Sequence, residues 1–274
     1  MSAAAWVRMM RVFRAGLIAF TALTLLYLVM PAFVVVPMSF SSRSYLSFPP
    51  PGWSLQWYSQ MFARPDYPAA FINSIKVGIP VAFFSALFGT LAALGLVRGR
   101  PAGHRALVAL FLAPLMLPQI ILAIGLYPVM AKLGIIGSTM GLIIAHTVAS
   151  VPLVYITVAA SLKTYPPTYE LAAMTLGANW WQTFWHVTFP MVRPGIAVGA
   201  ILAFAFSFDE LILALFLASP ESRTLPRLLW QDLRQYVTPI IAAATTLVLC
   251  VSFLLLGLAG WLQRGARAPE SAHN

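Results

Sequence analysis

The chain has 274 residues, 60% of them hydrophobic and only 9% charged. Soluble domains carry about 25% charged residues, so this composition excludes an ordinary soluble globule and is better counted in membrane spans. The net charge of +10, from 17 Lys and Arg against 7 Asp and Glu, reads as basic residues retained on the cytoplasmic side of a membrane, not as a nucleic-acid footprint.

A span needs about 20 mostly apolar residues. The stretches 17–40, 77–97, 106–131, 133–162, 194–218 and 239–262 qualify. Lipid offers no partner to a free backbone group, so each is expected to be a helix. The expected fold class is all-α integral membrane, with six transmembrane helices in one domain over 1–274. The first apolar run follows Arg8, Arg11 and Arg14. It is too long for a signal-peptide core and no A-x-A site closes it, so it reads as an uncleaved span. Arg98, Arg100 and Arg105 follow the second span. Together these place both termini in the cytoplasm.

Between the first two spans, the outer stretch 41–70 is rich in prolines and aromatics. A short helix is expected after Ser54, with Trp53, Trp57 and Tyr58 in the interfacial belt. A second outer stretch, 219–238, predicts a short amphipathic helix. Prolines 31, 80, 114, 118, 128 and 152 lie inside the apolar runs and predict kinks. The polar tail 263–274 is expected to be disordered. Cys250 lies in an apolar run without a second cysteine and reads as a packing residue.

The connection between the fourth and fifth spans, 163–193, has a different character. It contains "ELAAMTLGANWWQTFWHVTFP", residues 170–190. Pro166 and Pro167 end the preceding helix, and Thr168 is placed to cap a new one, with Glu170 in its first turn. Ala172 and Ala173 leave a bare surface for close approach. Gly177 is a helix stop, and Asn179 with Gln182 has capping-box spacing. Pro190 and Pro194 lead into the fifth span. The segment therefore reads as helix, glycine turn, helix, a docking element for a cytoplasmic partner.

Within the expected spans the acids are Asp209 and Glu210, side by side. Charge at that depth usually faces a cavity or a partner. Adjacent helical residues point about 100° apart, so the pair is not expected to share one ligand atom. Phe204, Phe206, Ser207 and Phe208 flank them. Acids beside aromatic faces suit an organic ammonium; a structural ion pair or helix-end contact is the alternative. His146 is the histidine inside a span, either a packing residue or part of a path. Asn73 and Lys76, near the outer end of the second span, read as capping and snorkelling residues, with the mouth of a path as the alternative.

The 170–190 segment resembles the EAA loop of ABC-importer permeases: Glu-Ala-Ala, three residues, Gly, nine residues, then Ile-x-Leu-Pro. Here Ala172 and Ala173 precede Gly177 by that spacing, and Val187-Thr188-Phe189-Pro190 follows nine residues later. Leu171 stands where the motif has glutamate, and Glu170 lies one position earlier. Either Glu170 takes that contact with the ATPase or the contact is missing. The stretches "FPPPGWSLQWY", "AFINSIKVG" and "FSFDELILALFLASPESRTLP" look like the spermidine/putrescine-type group, its second permease above all.

The resemblance implies a type I ABC-importer permease in a bacterial inner membrane. Its implied partners are a second homologous permease, an ATPase dimer docked on the loop through Glu170, Ala172, Ala173, Gly177 and Pro190, and an extracytoplasmic solute-binding protein. The expected substrate path, read from the intramembrane acids and their neighbours, includes Asp209, Glu210, Phe206, Phe208 and Ser207. No G-x-x-x-x-G-K-[ST] is present, so ATP and Mg belong to the ATPase. The chain itself is expected to have no cofactor, metal or catalytic residue. A polyamine is the expected cargo. Alternatives are an opine, an aminophosphonate, another amine-bearing solute or ferric iron, and outside the family an ion-driven secondary carrier.

Overall fold

The computed structural model describes residues 3–235 and 237–267. Among these, the regular structure is helical apart from two isolated bridges. Five helices are long and apolar enough to cross a membrane: Met9–Met38, Asp66–Arg98, Thr139–Thr164, Trp180–Asp209 and Pro239–Leu262. The pair His104–Met116 and Gln119–Lys132 makes a sixth if counted as one. The chain divides into two compact units, Met1–Ala63 with Leu233–Leu249, and Arg64–Asp232 with Cys250–Asn274.

The first unit contains α1 (Ala3–Met38), α2 (Gln56–Ala63) and the start of α12 (Pro239–Arg267). α1 begins well before residue 17, and none of its most apolar stretch is buried in the chain. An apolar helix with no packing on it requires a non-aqueous surrounding. The loop after α1 folds onto α2. Ser54 N–H donates to Phe40 O at 2.7 Å, Trp57 Nε1–H donates to Ser41 O at 2.6 Å, and Ser39 Oγ lies 2.7 Å from Tyr58 Oη. Trp53 is exposed as an interfacial residue would be, but Trp57 is buried. Its indole satisfies a loop carbonyl that would otherwise need water.

The second unit is built on α3 (Asp66–Ala93), α6 (Thr139–Thr164) and α9 (Phe189–Asp209), which pack on one another. Small residues bring these backbones together. A Cβ at Gly199 of α9 would lie 2.9 Å from Val154 Cα, and one at Gly89 of α3 would lie 3.0 Å from Tyr155 N. Close approach at glycine is how membrane helices gain packing when lipid is as apolar as they are. Val154, Val158, Leu162, Val192 and Ala203 fill one buried cluster. Val77, Val81, Leu142, Leu213 and Leu217 belong to another.

Several boundaries differ from the sequence expectation. α3 starts at Asp66, eleven residues before 77, and ends in a π-helical segment, Leu94–Arg98. The expected third span, 106–131, is two helices, α4 (His104–Met116) and α5 (Gln119–Lys132), meeting at 102°. Leu117 is extended, with ψ 138°, the conformation favoured for a residue before proline because the ring of Pro118 crowds its helical one. The fourth span starts at Thr139 instead of 133. Gly134 and Gly137 adopt φ of 68° and 77°, and Ser138 caps the helix by accepting from Gly141 N at 3.0 Å.

The fifth span, expected to run to 218, stops at Asp209. Glu210 is extended and α10 (Ile212–Leu217) follows. The short helix expected in 219–238 is α11 (Leu225–Gln235). α12 continues to Arg267, so residues 263–267 are helical and not a tail. The rest of the expected tail lies outside the described residues.

Candidate functional site

The segment that follows α6 is held by local chemistry. α7 (Thr168–Thr175) begins after Pro167, and Thr168 is its first residue, not its cap. The helix ends on Gly177, at φ 89°. Gly177 N–H donates to Met174 O at 3.0 Å and Ala178 N–H to Ala173 O at 3.0 Å, the bond pair of a Schellman motif. Only glycine enters that left-handed conformation without strain. Asn179 and Gln182 then form the expected capping box at the start of α8 (Trp180–Thr183), with bonds of 2.8 and 2.9 Å. α8 is not a separate helix. It runs through a π-helical segment, Phe184–Thr188, into α9. The expected loop 163–193 therefore narrows to the residues between Thr164 and Trp180, and Pro190 stands in the first turn of α9.

α7 is exposed along most of its length. Leu171 is 60% exposed and Leu176 89% exposed; Met174 is exposed as well. Ala172 and Gly177 are exposed and Ala173 is half-buried. Glu170 is half-buried. Its Oε1 accepts from Arg98 Nε at 3.3 Å, Tyr165 Oη at 3.0 Å and Thr188 Oγ1 at 3.0 Å. Arg98 also lies 4.6 Å over the Tyr165 ring and donates to Tyr165 O at 3.4 Å. Tyr165 is buried, and burial pushes its phenol above the usual value, so it remains a donor at neutral pH.

The Arg98–Glu170 pair lines one side of a groove of about 960 Å³. Leu87, Leu91 and Leu94 line it from α3 and its π-helical end, and Trp181, Phe184 and Trp185 line it from the segment that leads into α9. The three tryptophans at 180, 181 and 185 are exposed and lie against one another and Phe184 at centroid distances of 5.2–6.3 Å.

The expected path residues separate. Asp209 is exposed and Glu210 is buried. Glu210 Oε1 accepts from Leu213 N at 3.0 Å, so its carboxylate satisfies the free amides that start α10. Ser207 is buried and lies 2.9 Å from His146 Nδ1. Phe208 is 1% exposed, stacked with Phe204 and edge-on to Phe71, both at 5.8 Å. Phe206 is half-buried against an apolar cluster. Of the set, Asp209 alone presents an exposed charge. Asn73 is occupied too: its Nδ2 donates to Glu221 O at 2.8 Å and Arg223 O at 3.1 Å. Lys76 is exposed.

In the sequence Arg98 reads only as a marker of topology and Thr188 only as part of the motif ending, and nothing points to Tyr165; none of the three is expected to meet Glu170. They lie 72, 5 and 18 positions from Glu170, and no periodicity connects them.

Residues 85–268 match the family described as "Binding-protein-dependent transport system inner membrane component". The putrescine transport system permease protein PotI of Escherichia coli K12 is 33% identical over 230 residues, 81% of this chain and 82% of that one. The spermidine/putrescine permease PotC of the same organism is 28% identical, over 84% of this chain and 87% of that one. The molybdenum permease ModB of Mycobacterium bovis is 32% identical, over 79% and 85%. Among solved structures, a bacterial ABC transporter for import of the polysaccharide alginate superimposes with a TM-score of 0.71 at 18% identity, over 95% of this chain and 98% of that one. A chain of the MetNI methionine ABC transporter gives 0.56 at 17%, over 72% and 96%. This chain belongs to the binding-protein-dependent inner-membrane transport components, a family of multi-pass transport subunits rather than enzymes.

Proposed function

We propose that this chain is one of two permeases in an ATP-driven importer whose cargo is a polyamine such as putrescine or spermidine. It forms one permease domain with both termini in the cytoplasm. A second, homologous permease completes the pathway. ATPase subunits, which carry ATP and Mg, dock on α7 and the turn at Gly177, and a solute-binding protein delivers cargo at the opposite surface. The observation that carries this reading is the docking segment. Leu171, Met174 and Leu176 are exposed on a helix and turn fixed by a Schellman motif and a capping box. Exposed apolar side chains on a rigid helix fit a partner groove.

The cargo reading is supported by the likeness to PotI and PotC and by the exposed carboxylate of Asp209 beside a phenylalanine-rich turn. The molybdenum permease is as similar as PotI, so cargo is tested directly. Cells carrying this chain with its partner subunits are assayed for labelled putrescine, spermidine and molybdate. Uptake of a polyamine that requires the ATPase supports the reading. Molybdate uptake without polyamine uptake overturns the cargo. For docking, Gly177→Asp is expected to release the ATPase while the permease still inserts; normal co-purification of the ATPase sinks it.

A further inference from the structure

The contact of Glu170 with three separate elements has a consequence beyond docking. Both π-helical segments of the described residues end on donors to the same oxygen. Arg98 is the last residue of Leu94–Arg98 and Thr188 the last of Phe184–Thr188, and each bonds Glu170 Oε1. Tyr165, just past the end of α6, supplies the third bond. One carboxylate on α7 thus joins the ends of the helices that form the buried core. The side chains of Arg98 and Glu170 are 20% and 17% exposed. Glu170 is therefore largely engaged within the chain, while its neighbour Leu171 is 60% exposed.

The helix reached through Arg98 is long. Asp66–Arg98 is 33 residues, about 50 Å at 1.5 Å per residue. Its other end holds a second contact set, in which Asn73 binds the carbonyls of Glu221 and Arg223, and Ser74 Oγ accepts from Leu225 N at 2.9 Å. A wide π-turn next to Arg98 interrupts regular α-helical bonding, and such turns recur at functional positions.

We propose that Glu170 is a positioning residue, the internal joint through which displacement of α7 is passed to Arg98 and along α3 to the 219–225 segment. It is not itself a contact to the ATPase. This rests on the docking role proposed for α7. A partner pressing on Leu171, Met174 and Leu176 moves the backbone that carries Glu170. The carboxylate carries the π-helical end of α3 with it, because the Arg98 ion pair and the Tyr165 stack hold the two together.

A double-mutant cycle in the complete importer tests the joint. Glu170→Gln and Arg98→Gln are each expected to lower uptake at least about fivefold, the lower range of coupling between sites. The double variant is expected to lose no more than the worse single one. The ATPase is expected to stay bound to Glu170→Gln. Additive losses, wild-type uptake in either single variant, or loss of the ATPase from Glu170→Gln overturns the proposal. If Glu170→Gln fails to insert, Arg98→Lys against Arg98→Gln reads the same pair: recovery with lysine supports the joint and equal loss overturns it. Leu176→Asp separates the two readings. If it keeps the ATPase, docking on α7 falls; if it loses the ATPase while the cycle is additive, only the joint falls.

Discussion

His146 Nδ1 lies 2.9 Å from Ser207 Oγ, joining α6 to α9 where both residues are buried. The other ring nitrogen of His146 has no hydrogen-bond partner among the described residues. Ser207→Ala therefore leaves the imidazole without this bond. It is expected to destabilise the solubilised permease by about 1–3 kcal/mol, the cost of an unsatisfied buried polar group. Thermal unfolding in detergent measures it, and an unchanged transition contradicts the structural role assigned here.

The α6–α9 approach makes a sharper prediction. A side chain at Gly199 meets the backbone of Val154 at 2.9 Å, an atom that does not swing aside. Gly199→Leu is expected to abolish accumulation of folded protein in membranes, whereas Gly257→Ala, with nothing within 4 Å, is expected to accumulate normally. Equal levels of the two on a quantitative blot would count against the packing described.

Asp209 and Glu210 should respond differently. Glu210 caps α10, so Glu210→Ala is expected to cost about 0.5–2 kcal/mol, the range for losing a helix cap. Asp209 is exposed, so Asp209→Asn is expected to leave stability unchanged and to lower uptake. Unfolding curves and transport on the same preparations distinguish them. A stability loss at Asp209 with full transport per folded molecule would reverse the assignment.

Asn73 holds two carbonyls of the 219–224 turn from 148 and 150 residues away. Asn73→Ala removes both bonds and is expected to loosen that turn without unfolding α3. Limited proteolysis or hydrogen exchange confined to 219–225 would show it. Unaltered protection there would mean the turn is held without Asn73, by the bonds of Ser222, Ser74 and Arg227.

Much of this was legible in order along the chain. Long apolar runs have one solution in lipid, the helix, because backbone groups there must bond within the segment; composition alone therefore carried the fold class. Local rules also carried the turn at Gly177 and the Asn179–Gln182 capping box, since each depends on residues within five positions. They fell short at span ends. An apolar run continues through a break without changing character, as at Leu117–Pro118.

Side-chain direction needed the tertiary structure. The sequence places Asp209 and Glu210 together, but the end of α9 turns one outward and assigns the other to the amides of α10. It places Glu170 in the first turn of a short helix; only the packing of α3, α6 and α9 brings Arg98 from 72 residues away to that carboxylate. Local chemistry fixes which segments are helices and where tight turns fall, because those energies act over a few residues. Which charge meets which is decided by helices approaching through their glycines, and that is a property of the assembled core.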